Sequence, residues 1–93
     1  GTLTSVPEFN IGNFGLFPNP NSGEFDVVFE TNQADDYTVE IYNSLGQVVA
    51  SEKLSNFSGQ YQQHFNIASS GKGVYLLAIR NKENKMVKRV IVF

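Results

Sequence analysis

Apolar and polar residues alternate with a period of two along most of this chain, and the three-to-four-residue spacing of helices is almost absent. Such alternation is typical of β-strands that bury one face. In residues 24–30, for example, Phe25, Val27 and Phe29 share one face, whereas residues 74–81 are apolar on both faces, as in a central strand. The pattern predicts a short strand near residues 16–17 and six longer ones, at residues 24–30, 37–42, 47–54, 60–67, 74–81 and 85–93.

Short polar segments rich in Gly, Asn, Pro and Ser separate the predicted strands, and these residue types favour turns. Residues 43–46 are expected to close a hairpin, and residues 31–36 and 56–59 are expected to form further turns. Two prolines in residues 18–23 remove amide donors, so no strand runs through them. Residues 1–15 are irregular, and we interpret them as a linker.

These elements fit one small all-β domain. A length of 93 residues is close to the roughly 100 residues of a minimal β-sandwich. Eight Phe and four Tyr supply a core, because large aromatic side chains bury much apolar area. Two packed antiparallel sheets bury the apolar strand faces economically. We therefore predict an immunoglobulin-like antiparallel β-sandwich of about seven strands over residues 16–93, preceded by the linker of residues 1–15.

Composition and charge argue against several classes of protein. Cysteine is absent, so the chain has no disulfide and no thiolate ligand or nucleophile. A net charge of −2 lacks the basic excess of nucleic-acid-binding proteins. No apolar run approaches the ~18–20 residues that span a bilayer, so we expect no direct membrane insertion. The chain has no signal peptide and does not start with Met, which leads us to expect a fragment of a longer protein.

The polar residues do not form the pattern of a catalytic or metal site. His64 is the only histidine and falls on the polar face of its strand, without ligands or catalytic partners at suitable spacing. Asp35 and Asp36 lack the spacing of a calcium loop. The three acids of residues 24–30 are expected to be ordinary surface charge. We therefore predict no catalytic residue, no metal and no cofactor.

Two features admit both a plain and a functional interpretation. Aromatic rings that lie exposed on a sandwich can stack on sugars. Most of the six candidate rings fall on the apolar side of their strands, which favours packing in the core. The six candidates are Phe14, Phe17, Tyr37, Tyr42, Tyr61 and Tyr75. Lys85, Lys88 and Arg89 make the last predicted strand the only basic stretch. Lysine commonly protects an edge strand from aggregation, and the same strand is also a candidate for recognition by another protein.

Four segments stand out in order along the chain: residues 16–23 (LFPNPNSG), 39–49 (VEIYNSLGQVV), 73–79 (GVYLLAI) and 88–92 (KRVIV). Together they resemble the type A C-terminal sorting domain of the type IX (Por) secretion system of Bacteroidetes. The resemblance covers residues 16–93. It implies a structural role for the motif positions Pro18, Asn19, Pro20, Gly23, Ile41, Tyr42, Gly46, Gly73 and Tyr75.

The resemblance also implies a function without catalysis. Such a domain directs a larger cargo protein through the type IX outer-membrane machinery to the cell surface or the medium, by protein–protein recognition. It implies that the machinery recognises the terminal motif, which consists of Lys88, Arg89, Val90, Ile91 and Val92. It further implies a cargo domain N-terminal to residue 1 and a sortase-like processing protease that cleaves in or beside the linker of residues 1–15.

Two other functions remain open at this point. One is a carbohydrate-binding or adhesive accessory module of a secreted protein, which predicts an exposed aromatic platform. The other is a structural spacer of the fibronectin type, which predicts that the protein continues beyond Phe93 into another domain.

Overall fold

A computed structural model describes residues 11–93 of the chain. The described part is built almost entirely from strands, and a single 3₁₀ turn, Ala68–Ser70, is its one helical element. No helix in this range is long and apolar enough to cross a membrane. The strands are β1 (Gly12–Phe17), β2 (Glu24–Tyr42), β3 (Val48–Asn66), β4 (Gly73–Arg80) and β5 (Lys85–Val92).

One long hairpin organises the sheet. β2 and β3 pair antiparallel from Glu24 opposite Asn66 to Tyr42 opposite Val48. The turn between them is the predicted one, and Gly46 adopts a φ of +82° there, a conformation that glycine reaches without steric cost. β1 pairs with the first half of β2 and β4 with the second half, while β5 pairs with β4. All of these pairings are antiparallel.

The sheet curls so that inward residues from both halves of the long hairpin meet in one hydrophobic core. The alternation predicted from sequence is confirmed at both ends of β2 and over residues 75–79 of β4, where every second side chain is buried and Ala78 is buried as well. Burying one such side chain contributes about 1.5–3 kcal/mol. The core consists of Phe25, Val27, Phe29, Val39, Ile41, Tyr61, Ile67, Tyr75, Leu77, Ile79, Val90 and Val92.

The all-β prediction is confirmed, but the seven separate strands of an immunoglobulin-like sandwich are not. Residues 31–36 and 56–59, which were expected to turn, continue β2 and β3 as bulged strand. The Asp36 carboxylate accepts a hydrogen bond from the Asn56 backbone N–H at 2.8 Å across the bend. Bulges bend a strand without ending it, so polar residues that favour turns locally are accommodated inside two long strands.

The first strand also differs from its prediction. β1 begins at Gly12, earlier than the predicted start near residue 16, so the end of the predicted linker belongs to the sheet. Ile11 and Phe14 pack against the core. The predicted linker's first ten residues lie outside the described residues.

Candidate recognition site at the terminal strand

The terminal motif does not present its five side chains to one surface. β5 pairs with β4 along its length, from Arg80 opposite Lys85 to Gly73 opposite Val92. Because side chains alternate between the two faces of a strand, Val90 and Val92 enter the core, where both are buried. Arg89 and Ile91 point to the outer face of the sheet and are exposed. The motif therefore combines core residues with residues that a partner can touch.

Lys88 extends to a different strand. It lies opposite Leu77 in the β4–β5 ladder, and its Nζ atom is 5.9 Å from the centre of the Phe14 ring in β1. An ammonium group over an aromatic face is held by a cation–π interaction. Lys88 thus connects β5 to β1, the two strands at the ends of the sheet order.

The segment of residues 18–23, which we call the proline loop, covers the edge of β5 that faces away from β4. The Asn19 side chain pairs with this edge as a strand would, donating from Nδ2 to the Arg89 carbonyl at 2.9 Å and accepting at Oδ1 from the Ile91 N–H at 3.0 Å. The Asn21 backbone continues the pairing, with its N–H on the Ile91 carbonyl and its carbonyl on the Phe93 N–H, both at 2.9 Å.

Asn21 also holds the proline loop itself in shape. Its buried side chain donates from Nδ2 to the Pro18 carbonyl and accepts at Oδ1 from the Gly23 N–H, each at 2.9 Å. Gly23 has a φ of +115°, and a Cβ atom there would lie 2.7 Å from Cα of Ala68. The Gly23 carbonyl accepts the Ile67 N–H at 2.8 Å. Glycine is therefore required at this position for both its conformation and its close packing.

The remaining motif residues support the fold. Ile41 is a core residue, whereas Tyr42 lies on the outer face and donates to Glu40 Oε1 at 2.7 Å. Gly73 begins β4 with a φ of +151°. The Tyr75 ring is buried, and its hydroxyl donates to the Gly71 carbonyl at 2.5 Å. The motif positions singled out from the sequence include Asn19 and Gly23 but not Asn21. Asn21 directly follows a proline and stands two residues before a glycine, which is a typical turn signal.

Residues 15–93 match the family described as a secretion system C-terminal sorting domain. The chain belongs to this family. It is also 26% identical over 91 residues to the ulvan lyase NLR42 of Nonlabens ulvanivorans, an alignment that covers 98% of this chain but 16% of the lyase. This is the type IX sorting family, so the sorting domain belongs to a protein exported to the cell surface or the extracellular space.

The outer face of the sorting domain around β4 and β5 carries a polar network beside apolar side chains. Glu40 of β2 accepts hydrogen bonds at Oε1 from Arg80 Nε at 2.8 Å and from the Tyr42 hydroxyl. These two hydrogen bonds lower the pKa of Glu40 below its usual value, and the bond from Arg80 has the larger effect. Arg80 is thus engaged within the domain. The sequence missed this network because its members meet through strand register.

His64 lies on the outer face of the other half of the sheet. Its Nδ1 is 2.6 Å from Asp26 Oδ1, and its Nε2 is 3.2 Å from Glu24 Oε1. The hydrogen bond to Asp26, followed by that to Glu24, raises the pKa of His64 above its usual value. The prediction of a surface histidine is confirmed by its exposure, but the sequence did not reveal these partners, because Asp26 lies opposite His64 only through the β2–β3 register.

The other candidate ligands also bond within the domain. Asp35 accepts the Asp36 N–H at 2.8 Å through Oδ1, and Asp36 bonds to the Asn56 backbone. Across residues 11–93 no group of three or more His, Asp or Glu side chains is arranged to hold a metal ion. Asp35 and Asp36 therefore help to shape the bend in β2 and β3.

Half of the six aromatic residues suggested for glycan stacking are buried. Tyr37, Tyr61 and Tyr75 are buried, and Tyr61 stacks on Phe29 at 4.6 Å between ring centres. Phe17 is about half exposed on the outer face of β1. On that same face lies a groove of about 260 Å³ whose polar lining includes Asn13, Glu30, Gln60 and Gln62.

Proposed function

We propose that this domain is the C-terminal export signal of a longer cargo protein, and that the type IX machinery recognises it in its folded state, by protein–protein contact and without catalysis. The observation that carries the proposal is the join between the proline loop and β5. Through it, the first and last family motifs, 65 or more positions apart in sequence, form one structure in which Arg89 and Ile91 stay exposed.

A recognition site that exists only after folding suits a signal carried by unrelated cargoes. Val90 and Val92 hold β5 on the core, and Asn19 and Asn21 fix its free edge. A partner therefore meets a rigid surface and does not have to order a flexible tail, which lowers the entropic cost of binding.

The pairing of β1 with β2 also limits where the processing protease can cut. We place the cut of the sortase-like protease N-terminal to Gly12, because Gly12–Phe17 is paired with β2 and a strand in a sheet is a poor protease substrate. The cargo then lies N-terminal to the cut.

The experiment is a reporter that carries its own N-terminal secretory signal, fused to the N-terminus of this chain and expressed in a type IX-competent bacterium. We expect the reporter at the cell surface or in the medium, and in the periplasm when the type IX outer-membrane machinery is deleted. The reporter without the chain is the control. Equal export in both strains, or equal export without the chain, contradicts the proposal.

The second candidate function is glycan binding on the face of the sheet that carries both the polar groove and Phe17. Amide and carboxylate side chains with one exposed ring are the groups that bind sugars. Calorimetric titration of the purified chain with soluble polysaccharides tests it, with Phe17→Ala and Gln62→Ala as variants. Saturable binding that both substitutions weaken supports this candidate, and no binding at millimolar sugar rejects it.

A further inference from the structure

Charge is separated along this chain. All seven Lys and Arg residues lie in residues 53–93, whereas eight of the nine acidic residues lie in residues 1–52. In the fold, five of the seven cations belong to β4, β5 and the turn that joins them: Arg80, Lys82, Lys85, Lys88 and Arg89. This corner of the domain is therefore basic although the chain as a whole is acidic.

The outer face of β4 and β5 is also apolar at its centre. Val74 lies directly opposite Ile91, Leu76 opposite Arg89, and Ala78 opposite Val87. Large apolar side chains scattered singly over a surface are ordinary, but neighbouring ones form a patch that marks an interaction site. Four of them on this face are between 38% and 49% exposed: Val74, Leu76, Val87 and Ile91.

The edge of β5 cannot easily accept an added strand from a partner over its last residues. The Arg89 carbonyl, both backbone groups of Ile91 and the Phe93 N–H are already bonded to Asn19 and Asn21. Strand addition relies on free main-chain donors and acceptors. A partner therefore reaches the terminal motif through the outer face.

We propose that the outer face of β4 and β5 is the docking surface of the sorting domain and that its occupant is a protein surface combining apolar side chains with carboxylates. The proposal rests on the sorting function above and names the chemistry of the partner. Apolar contact at Leu76 and Ile91 supplies affinity. Lys85 and Arg89 at its rim supply charge complementarity, which favours encounter and correct orientation.

A protein fits this face better than an anionic lipid or polysaccharide does. Arg80 is already bonded to Glu40, so Lys85 and Arg89 are the cations this face offers, and its centre is made of Val, Leu and Ile side chains that give a polyanion nothing to bind. A second copy fits less well too, since on the acidic half of the domain Glu24 and Asp26 are paired with His64.

The test compares face variants with matched controls in the reporter fusion. Leu76→Ser is matched by Leu45→Ser in the exposed β2–β3 turn, and Arg89→Glu is matched by Lys82→Glu in the β4–β5 turn. We expect both face variants to lower export at least about tenfold, because Leu76→Ser removes a central apolar contact and Arg89→Glu sets a carboxylate against the carboxylates of the partner. We expect both controls to stay within about twofold of wild type.

Further measurements make the result decisive. Melting temperatures of the purified variants within a few degrees of wild type show that folding is intact, and Arg89→Lys is expected to retain export. Wild-type-like export of both face variants overturns the docking surface while leaving type IX-dependent export, and hence the proposed function, in place. Loss of export in the controls to the same degree overturns it as well.

Two other occupants are separate outcomes of the test. Binding of the purified chain to phosphatidylglycerol vesicles but not to phosphatidylcholine vesicles, abolished by Arg89→Glu, assigns the face to an anionic membrane surface and overturns the proposal. A dimer in sedimentation analysis that Leu76→Ser dissociates assigns the face to a second copy and overturns it too. A chain that stays monomeric and binds neither type of vesicle supports the protein partner.

Discussion

Replacing Asn21 by alanine tests whether the proline loop stabilises the domain as its contacts indicate. Asn21 is 2% exposed, and its side chain satisfies both the Pro18 carbonyl and the Gly23 N–H. Asn21→Ala leaves these two groups without their partners and opens a small void. A buried polar group without a partner costs about 1–3 kcal/mol. Because the bond to Pro18 is only partly buried, we expect a total loss of about 2–4 kcal/mol in the free energy of unfolding.

That loss is large for a domain of this size. Domains are stable by roughly 0.05–0.15 kcal/mol per residue, and 1 kcal/mol shifts the melting temperature of a domain with 60–100 residues by about 4–8 °C. Asn21→Ala is therefore expected to lower the melting temperature by roughly 10–25 °C. Asn19→Ala, at an exposed position, should lose only about 1 kcal/mol, because water replaces its bonds to β5.

The assay is urea and thermal unfolding followed by circular dichroism, with Asn32→Ala as control. Asn32 is an exposed β2 residue, and its substitution should change stability by less than about 0.5 kcal/mol. An Asn21→Ala variant as stable as the Asn32→Ala control would refute the reasoning. It would mean that the side-chain bonds of Asn21 within the proline loop contribute little to folding.

Two further predictions concern pH and glycine packing. The pKa of His64 is raised in the folded state, mainly by Asp26, so its stabilisation is fully present below the unfolded value of about 6.5 and is lost as pH rises through the folded pKa. His64→Gln should abolish this loss in melting temperature as the pH rises above about 6.5, and an unchanged pH profile contradicts the assignment. Gly23→Ala should destabilise the domain more than Gly59→Ala, since both have positive φ but only at Gly23 would Cβ meet Ala68; equal unfolding midpoints in urea would contradict the clash.

The parts of the fold that depend on local pattern could be predicted from the sequence. Period-two alternation identified the inward residues of β2 and β4, and the hairpin turn at Gly46 followed from its composition. The continuation of β2 through residues 31–36 could not be predicted, because turn propensity is local, whereas the cross-strand bonds that keep this segment extended come from β3, as at Asn56.

The candidate site also has a part that the local sequence predicts and a part that depends on contacts between distant residues. The terminal motif was found from its residues, but its sequence does not say which side chains face out. That depends on the register with β4 and on Asn19, which bonds to Ile91 across 72 positions. The exposed apolar pairs on β4 were missed for a related reason. Apolar residues on both faces of a strand suggest full burial, yet Val74 and Leu76 lie on the outer face and are about half exposed.

The family motifs and the proposed docking surface make different demands on the sequence. Gly23, Ile41, Tyr75, Val90 and Val92 act inside the domain, where a change of shape or volume is costly. A partner that serves many cargoes can rely on these positions only for the shape they produce. The residues that this partner contacts must face outward, as those paired on β4 and β5 do. Export is therefore expected to depend on folding first and on the outer face second, which is why a variant informs about recognition only when its melting temperature is unchanged.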